Sequence, residues 1–409
     1  MKVEEVRALF PAVTRASYLN AAAASPLSEP VHRAIADHYR EAMEWGDVGF
    51  VGWLQRKESA RSKLAKLCGA TPEELAFMPS TSMGFHFVGQ LLKQHGVREV
   101  VTLEGEFPST TLPLLNLGLR LRVVKVQPDG TYSLEELADA ITARTGAVVL
   151  SAVQYASGFR IDLPAVARLC RSRKVFLAIN AVQALGQVPL DVNALKADFL
   201  CATSHKWMMG GYGVGLLYVR AALFKDSHLP VAGWLSTERP MEMDNLVGAK
   251  KTGGAKARSF LAQGARFRSD AGAMEVGSPA WGPLFGMEAA AQLLLSVGVE
   301  EIQQHNARLQ TVLRERLRAR GFVPNAPDGM AQGSGICVVP VQGGASAVAR
   351  ELGKRGVVVT ARGGGLRVST HVFNQEVDLD QLMWALEKAE VQPAPPVRIP
   401  ARPRKRARG

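Results

Sequence analysis

No apolar run in this sequence approaches the roughly 20 residues that a membrane-spanning helix needs. The longest, such as Ala147–Leu150 and Gly215–Val219, cover only a fraction of that length. A secretory signal is also missing, because Glu4 and Glu5 interrupt the stretch from Met1 to Phe10 and no apolar segment follows a basic one. Cysteine is scarce. Cys68, Cys170, Cys201 and Cys337 lie far apart without a CxxC pair, which argues against a zinc knuckle, or any metal site, and against a disulfide framework. The expectation is four reduced, mostly buried thiols in a cytoplasmic protein. No Walker-type GKS or GKT occurs. The glycines of Gly211-Tyr212-Gly213-Val214-Gly215 precede a strand, whereas a dinucleotide fingerprint has to open a helix, so they read as a turn.

What is present is globular. Apolar residues make up 47% and charged residues 21% of 409 positions, which is near the soluble average and enough for about two domains. The net charge of +12 resembles a nucleic-acid signal until it is located. Arg398, Arg402, Arg404, Lys405, Arg406 and Arg408 supply six of those charges, and no acid lies between Val391 and Gly409. Five prolines in the same stretch prevent a helix there. Residues 391–409 are expected to form a disordered basic tail, with weak contact to nucleic acid or an anionic surface as its alternative role.

Between Glu74 and Val219 short β-branched runs alternate with helix-period segments, the pattern of a mostly parallel sheet with crossover helices. Seven strands are predicted: Leu75–Met78, Glu99–Leu103, Leu121–Val126, Ala147–Val153, Val175–Asn180, Phe199–Ala202 and Gly215–Val219. Helices Met83–Gln94 and Leu163–Arg171 fall between them. From Pro283 the pattern changes to long amphipathic helices, Leu284–Ser296 and Val299–Arg320. Short strands follow at Ile336–Pro340, Val357–Ala361 and Leu366–Ser369, with helices Ala345–Lys354 and Leu379–Ala389. The fold class is therefore α/β, with a large seven-stranded domain over 21–282 and a smaller α+β domain over 283–390. An N-terminal arm over 1–20 precedes them, and the Gly- and Lys-rich stretch 241–264 reads as a mobile loop.

The chemistry concentrates between Val175 and Val219. One strand ends in Asn180-Ala181-Val182-Gln183 and the next in Thr203-Ser204-His205-Lys206-Trp207, which puts polar side chains where open α/β sheets bind ligands. A lysine there suits catalysis, because desolvation removes its charge and only the neutral amine attacks an aldehyde. Pro79-Ser80-Thr81-Ser82-Met83-Gly84 follows another strand and opens a helix, so its hydroxyls and N–H groups form an anion site. Taken alone, that segment is equally an ordinary N-cap.

Together these blocks resemble the class V aminotransferase and cysteine desulfurase-like branch of the fold type I enzymes dependent on pyridoxal 5′-phosphate (PLP). Tyr18-Leu19-Asn20-Ala21-Ala22, the run from Asn180 to Asp191, Ser204-His205-Lys206-Trp207 and Leu366-Arg367-Val368-Ser369-Thr370 carry the resemblance. It is strongest to the isopenicillin-N-epimerase-like group. The resemblance implies that Lys206 holds PLP as a Schiff base and moves protons at the substrate α-carbon. It also implies that Thr203 and His205 bind the phosphate with Thr81 and Ser82, and that Phe107 stacks on the pyridine ring. Gln183 would lie near the phenolic oxygen, helped by Gln154 or Tyr155. Gly277-Ser278 matches a segment that reaches the partner subunit's phosphate, implying a homodimer with shared sites. Arg367 would clamp the carboxylate of an amino-acid-like small molecule.

Three positions depart from the family pattern. Asn180 stands where an aspartate usually keeps the pyridine nitrogen protonated, and Ala21 replaces a common asparagine. Arg362-Gly363-Gly364-Gly365 lacks the cysteine that some desulfurases use as persulfide nucleophile. The expected function is a PLP-dependent aminotransferase or epimerase acting at the α-carbon of an amino acid. A C–S or other β-lyase working without a catalytic cysteine is the alternative enzyme. A weakly catalytic binding or regulatory protein on the same fold is the alternative outside enzymes.

Overall fold

The computed structural model describes every residue except 128, 225–227, 239, 243–266, 326–330 and 395–409. Most of the loop expected over 241–264 and nearly all of the basic tail lie outside the described residues.

The chain enters through short helical turns and a two-residue strand, β1 (Ser17–Tyr18). It then forms β2 (Leu75–Met78), β3 (Glu99–Leu103), β4 (Arg120–Val124), β5 (Thr145–Ser151), β6 (Phe176–Asn180), β7 (Phe199–Thr203) and β8 (Gly215–Val219). These seven, β2 to β8, make one sheet in the order β2-β8-β7-β6-β5-β3-β4. Only β8 runs against its neighbours, pairing antiparallel with both β2 and β7. Strands β2, β3, β7 and β8 are buried along their whole length, as expected of strands covered by helices on both faces. That cover explains why they read as continuous apolar runs and not as alternating ones.

A second, three-stranded antiparallel sheet follows in the order β11-β12-β9, built from β9 (Ile336–Val339), β11 (Thr360–Arg362) and β12 (Gly365–Ser369). The two-residue β10 (Val357–Val358) pairs with β1 in parallel. The single strand expected over Val357–Ala361 is thus two, divided at Val359, because the chain leaves β1 as a partner and turns to pair with β12.

Two further expectations need correction, and the structure adds detail to a third. The helix expected from Met83 starts two residues earlier, at Thr81, because Ser80 is its N-cap and accepts a hydrogen bond from the Met83 N–H at 3.2 Å. Residues 1–20, expected as an N-terminal arm, lie packed against the rest of the chain. Val6 and Phe10 are fully buried, and Arg7 pairs with Asp378 at 2.7 Å, which ties the start of the chain to helix Glu376–Lys388. The tail also begins later than residue 391, since the Gln342 N–H donates to the Gln392 carbonyl at 3.0 Å and Pro393 bridges to Val341.

Among the described residues no single helix is long and apolar enough to cross a membrane. The one pair that passes together, Trp281–Val297 and Val299–Arg318, is bent by 78° at its break.

Candidate active site

Parallel pairing puts the ends of β5, β6 and β7 side by side, with Ser151 opposite Asn180 and Asn180 opposite Cys201. The turn after β7 presents Lys206, and the antiparallel return of β8 requires Gly211 and Gly213 at positive φ, as the glycine turn predicted. Across from these ends lies the β11–β12 hairpin. Its Gly363, at φ +61°, sits where a Cβ would collide with the Ala156 carbonyl. That close approach brings Arg362 and Arg367 to the strand ends. Between them is a cavity of about 240 Å³ lined by Thr81, Phe107, Tyr155, Asn180, Lys206 and Arg367 among others.

The Lys206 side-chain amine makes no hydrogen bond or ion pair among the described residues. Burial, reinforced by the nearby Arg367 and Arg362, pushes its ammonium down to about 8. Its Nζ lies 5.3 Å from the centre of the Phe107 ring, which packs edge-on against Tyr155. The amine therefore reaches a substantial neutral fraction near pH 8, well below the range of an ordinary lysine, as a nucleophile for an aldehyde requires.

His205 stacks on Tyr212 with ring centroids 4.2 Å apart, and its Nδ1 lies 2.9 Å from the Thr203 hydroxyl. Burial and the Lys206 charge push this imidazole down to about 4, so it is neutral. Thr81, Thr203 and His205 all reach the cavity, at the open N-terminus of helix Thr81–Gln94. Ser82 does not, because it is the next residue round the helix and points to solvent.

Arg367 is buried. One of its amino groups donates to the Tyr155 carbonyl at 2.9 Å, while its Nε has no acceptor. Burial and Arg362 push the guanidinium down to about 10. A buried cation with an unmatched donor facing a cavity calls for an anionic acceptor. A carboxylate fits that demand, and an aldehyde-bearing ring with a phosphate at one end fits the amine, the aromatic face and the hydroxyl-lined helix terminus. The donor set is thus that of a PLP site.

Four other expected site residues have surroundings that the sequence did not show. Gln154 points away from the cavity and donates to Glu106 at 2.9 Å, so of the pair Gln154 and Tyr155 it is Tyr155 that lines the site. Gln183 lines the cavity, but both ends of its amide are engaged by protein: it donates to the Ala22 carbonyl at 2.9 Å and accepts from Trp207 Nε1 at 2.6 Å. Ser278 lies in a separate surface cavity of about 360 Å³ beside Met78, Pro79 and Met83, away from its own chain's Lys206. Asn180 reaches the site with its amide held, since Nδ2 donates to the Thr110 hydroxyl at 2.7 Å and Oδ1 accepts from the Val182 N–H at 3.0 Å.

Arg362, Ser109 and Ser151 also line the cavity, and sequence reasoning did not pick them as site residues. For Arg362 a signal existed: it opens the segment singled out for lacking a cysteine. All four cysteines are buried, including Cys337 inside β9, as expected. Among the described residues no three His, Cys, Asp or Glu side chains gather as a metal site would require.

A parallel sheet whose strand ends present a desolvated lysine, a stacking aromatic and a carboxylate-seeking arginine defines a PLP-dependent enzyme of the fold type I class. The family model described as aminotransferase class-V matches residues 17–385, and the chain belongs to that family. Its cofactor is pyridoxal phosphate. The uncharacterized aminotransferase YcbU of Bacillus subtilis is 28% identical over 378 residues, covering 92% of this chain and 95% of that one. A probable cysteine desulfurase of Methanothermobacter thermautotrophicus is 26% identical over 76% of this chain and 74% of its own. Among solved structures, the apo cysteine desulfurase of Thermococcus onnurineus superposes with a TM-score of 0.81 at 22% identity, covering 94% of this chain and 97% of that one. The cystine C–S lyase C-DES superposes with a TM-score of 0.80, also at 22% identity, covering 92% and 98%. At that identity the superpositions establish the fold alone.

Proposed function

We propose that this chain carries PLP on Lys206 and moves a proton at the α-carbon of an amino acid, as an aminotransferase or epimerase of the isopenicillin-N-epimerase-like kind. The observation that carries the reading is the pairing, in one cavity, of an unpartnered amine lowered to about 8 with a buried guanidinium whose Nε lacks an acceptor. When bound, PLP supplies an electron-withdrawing ring and an aldehyde carbon. The protein supplies the rest. Phe107 would cover one face of the ring and Thr81 would donate to the phosphate, while Thr203 and neutral His205 share one hydrogen bond at Nδ1, so that one of the two would donate to the phosphate and the other would orient it. Arg367 would hold the substrate carboxylate through its fork, which would fix the α-carbon near the Lys206 amine. Arg362 adds a second cation at the rim.

The cysteine chemistry of a persulfide-forming desulfurase has no counterpart here. A persulfide nucleophile needs an accessible thiolate, whereas burial raises Cys68 and Cys170 to about 12 and Cys337 is closed inside β9. A C–S or β-lyase without a thiol is the second reading. It uses the same proton removal, and several relatives of this chain are named as cysteine desulfurases.

We also propose that two copies share the site and that the division into units over 21–282 and 283–390 holds. The surface cavity containing Ser278 supports the dimer, because its apolar rim includes the exposed Met83 and Val276 and adjoins the helix start at Thr81. Buried thiols outside any disulfide support a cytoplasmic location. The test is a panel of amino acids added to the PLP-loaded protein while its absorbance is followed. Spectral change with α-amino acids, and release of a keto acid or the opposite enantiomer, supports the reading. Spectral silence across the panel removes it.

A further inference from the structure

Glu106, the residue before the ring-stacking Phe107, is almost fully buried behind the cavity. Its carboxyl accepts from the Ser151 N–H at 2.7 Å, the Ser151 hydroxyl at 2.5 Å and the Gln154 amide at 2.9 Å. The Thr110 hydroxyl lies close enough to stabilise the charged form as well. No lysine, arginine or histidine bonds it among the described residues. Burial pushes this acid above its ordinary value, and the four donors, which favour the ionised form, offset only part of that rise. A buried carboxyl group surrounded by donors but lacking a cation is costly for a fold to keep, because buried charges are normally paired.

The neighbours of Glu106 show where its charge is felt. The Thr110 oxygen accepts from Asn180 Nδ2 at 2.7 Å, so the Thr110 proton is free to point at the carboxyl. The Val182 N–H can only donate, which fixes Asn180 with Oδ1 toward it and Nδ2 toward Thr110. The hydrogen bonds then run in one direction, from the Asn180 amide to the Thr110 hydroxyl to Glu106. Such chains polarise cooperatively, and a negative charge at the far end makes the Asn180 carbonyl oxygen a stronger acceptor. Ser151, which lines the cavity and faces Asn180 across the β5–β6 pair, makes a second link to the same carboxyl.

We propose that Glu106 is a positioning residue that replaces the missing aspartate at Asn180: its buried charge, relayed through Thr110 and Ser151, keeps the ring nitrogen of bound PLP protonated. Asn180 Oδ1 has a second lone pair and can accept the ring N–H directly, while Glu106 provides the negative charge that an amide lacks. Asn180 then becomes half of a divided function instead of a lesion. The inference rests on the PLP reading above.

The test is a pH titration of the ring nitrogen by 15N NMR in holoenzyme loaded with 15N-labelled PLP. In the wild type the nitrogen is protonated at pH 7. In Glu106→Gln, which preserves shape, its pKa falls by about one unit, the low end of what a nearby opposite charge produces, because the charge acts through two hydrogen bonds. Thr110→Val leaves the carboxyl bonded to Ser151 and Gln154 and lowers the value by less. If Glu106→Gln does not fold, the Thr110→Val titration decides the question in its place. Adding Asn180→Asp to Glu106→Gln restores protonation, because a charge then sits at the usual place. A nitrogen that is bare in the wild type, or that titrates identically in wild type and variant, overturns the inference while leaving the PLP reading intact. A wild-type chain that takes up no PLP overturns the reading itself, and the inference with it.

Discussion

Two groups of buried cations in this molecule have opposite settings. Beneath β2, Arg61 and Lys57 converge on Glu275, with nitrogen–oxygen distances of 2.6 and 2.8 Å, and the same carboxylate accepts from the Phe77 N–H at 2.8 Å. Burial pushes Glu275 up, but the two cations outweigh it and hold the acid at about 2. At the strand ends, by contrast, Lys206 and Arg367 face each other's charge without a carboxylate, and both are pushed down, to about 8 and about 10. Burial is similar in the two places, so burial does not make a site. The difference is partnership: a cation whose demands are met inside the protein holds the fold, and one left unmatched beside a cavity is available to a ligand.

The contrast can be broken first on the structural side. Glu275→Gln leaves buried Arg61 and Lys57 with only the half-exposed Glu58 as counter-charge, and the expected loss of stability is about 3 kcal/mol, the lower end of the range for breaking a buried ion pair. It is read as a lower urea midpoint with an unchanged slope. Arg367→Ala should instead leave the urea midpoint nearly unchanged and weaken amino-acid binding about 10- to 100-fold, the range for a charged hydrogen bond removed from a carboxylate. If the two variants exchanged these phenotypes, the distinction would fail.

Acidity sharpens the comparison. The Lys206 value lies below that of an ordinary lysine, so the neutral amine accumulates as pH rises through about 8. The rate of PLP attachment to the apo protein should rise roughly tenfold per pH unit below that value and level off above it. A rate still climbing steadily to pH ~10, the ordinary lysine range, would mean that burial and the two arginines do not lower this lysine. The smallest effect belongs to Cys337→Ala. It leaves turnover unchanged and lowers stability by about 1 kcal/mol, as removal of a small buried side chain does. Loss of activity in that variant would bring back a thiol mechanism.

Much of this was legible in the chain. Strands β2 and β8 begin and end where their apolar runs do, because a strand covered on both faces has no polar residues to blur its limits. Lys206, Thr203, His205 and Arg367 were legible because they sit at strand ends or within dense motifs. What sequence missed was local parity and long-range partnership. Gln154 and Tyr155 are neighbours just past β5, and which one faces the cavity depends on how the following loop closes, with the Gln154 N–H donating to the Phe159 carbonyl. Glu106 gave no signal, since its meaning comes from Ser151, 45 residues away in sequence. Val391 to Ala394 looked like tail because Pro393 and the prolines that follow forbid a helix, yet a bridge from Pro393 to Val341 holds them in place.

The central claim, that the unmatched amine at the end of β7 is where the cofactor attaches, is tested most directly by borohydride reduction of the PLP-loaded protein followed by peptide mapping. The account predicts one stable pyridoxyl adduct, on the peptide containing Lys206, and none in Lys206→Ala. An adduct on another lysine, or persistence of the same yield in Lys206→Ala, would contradict it.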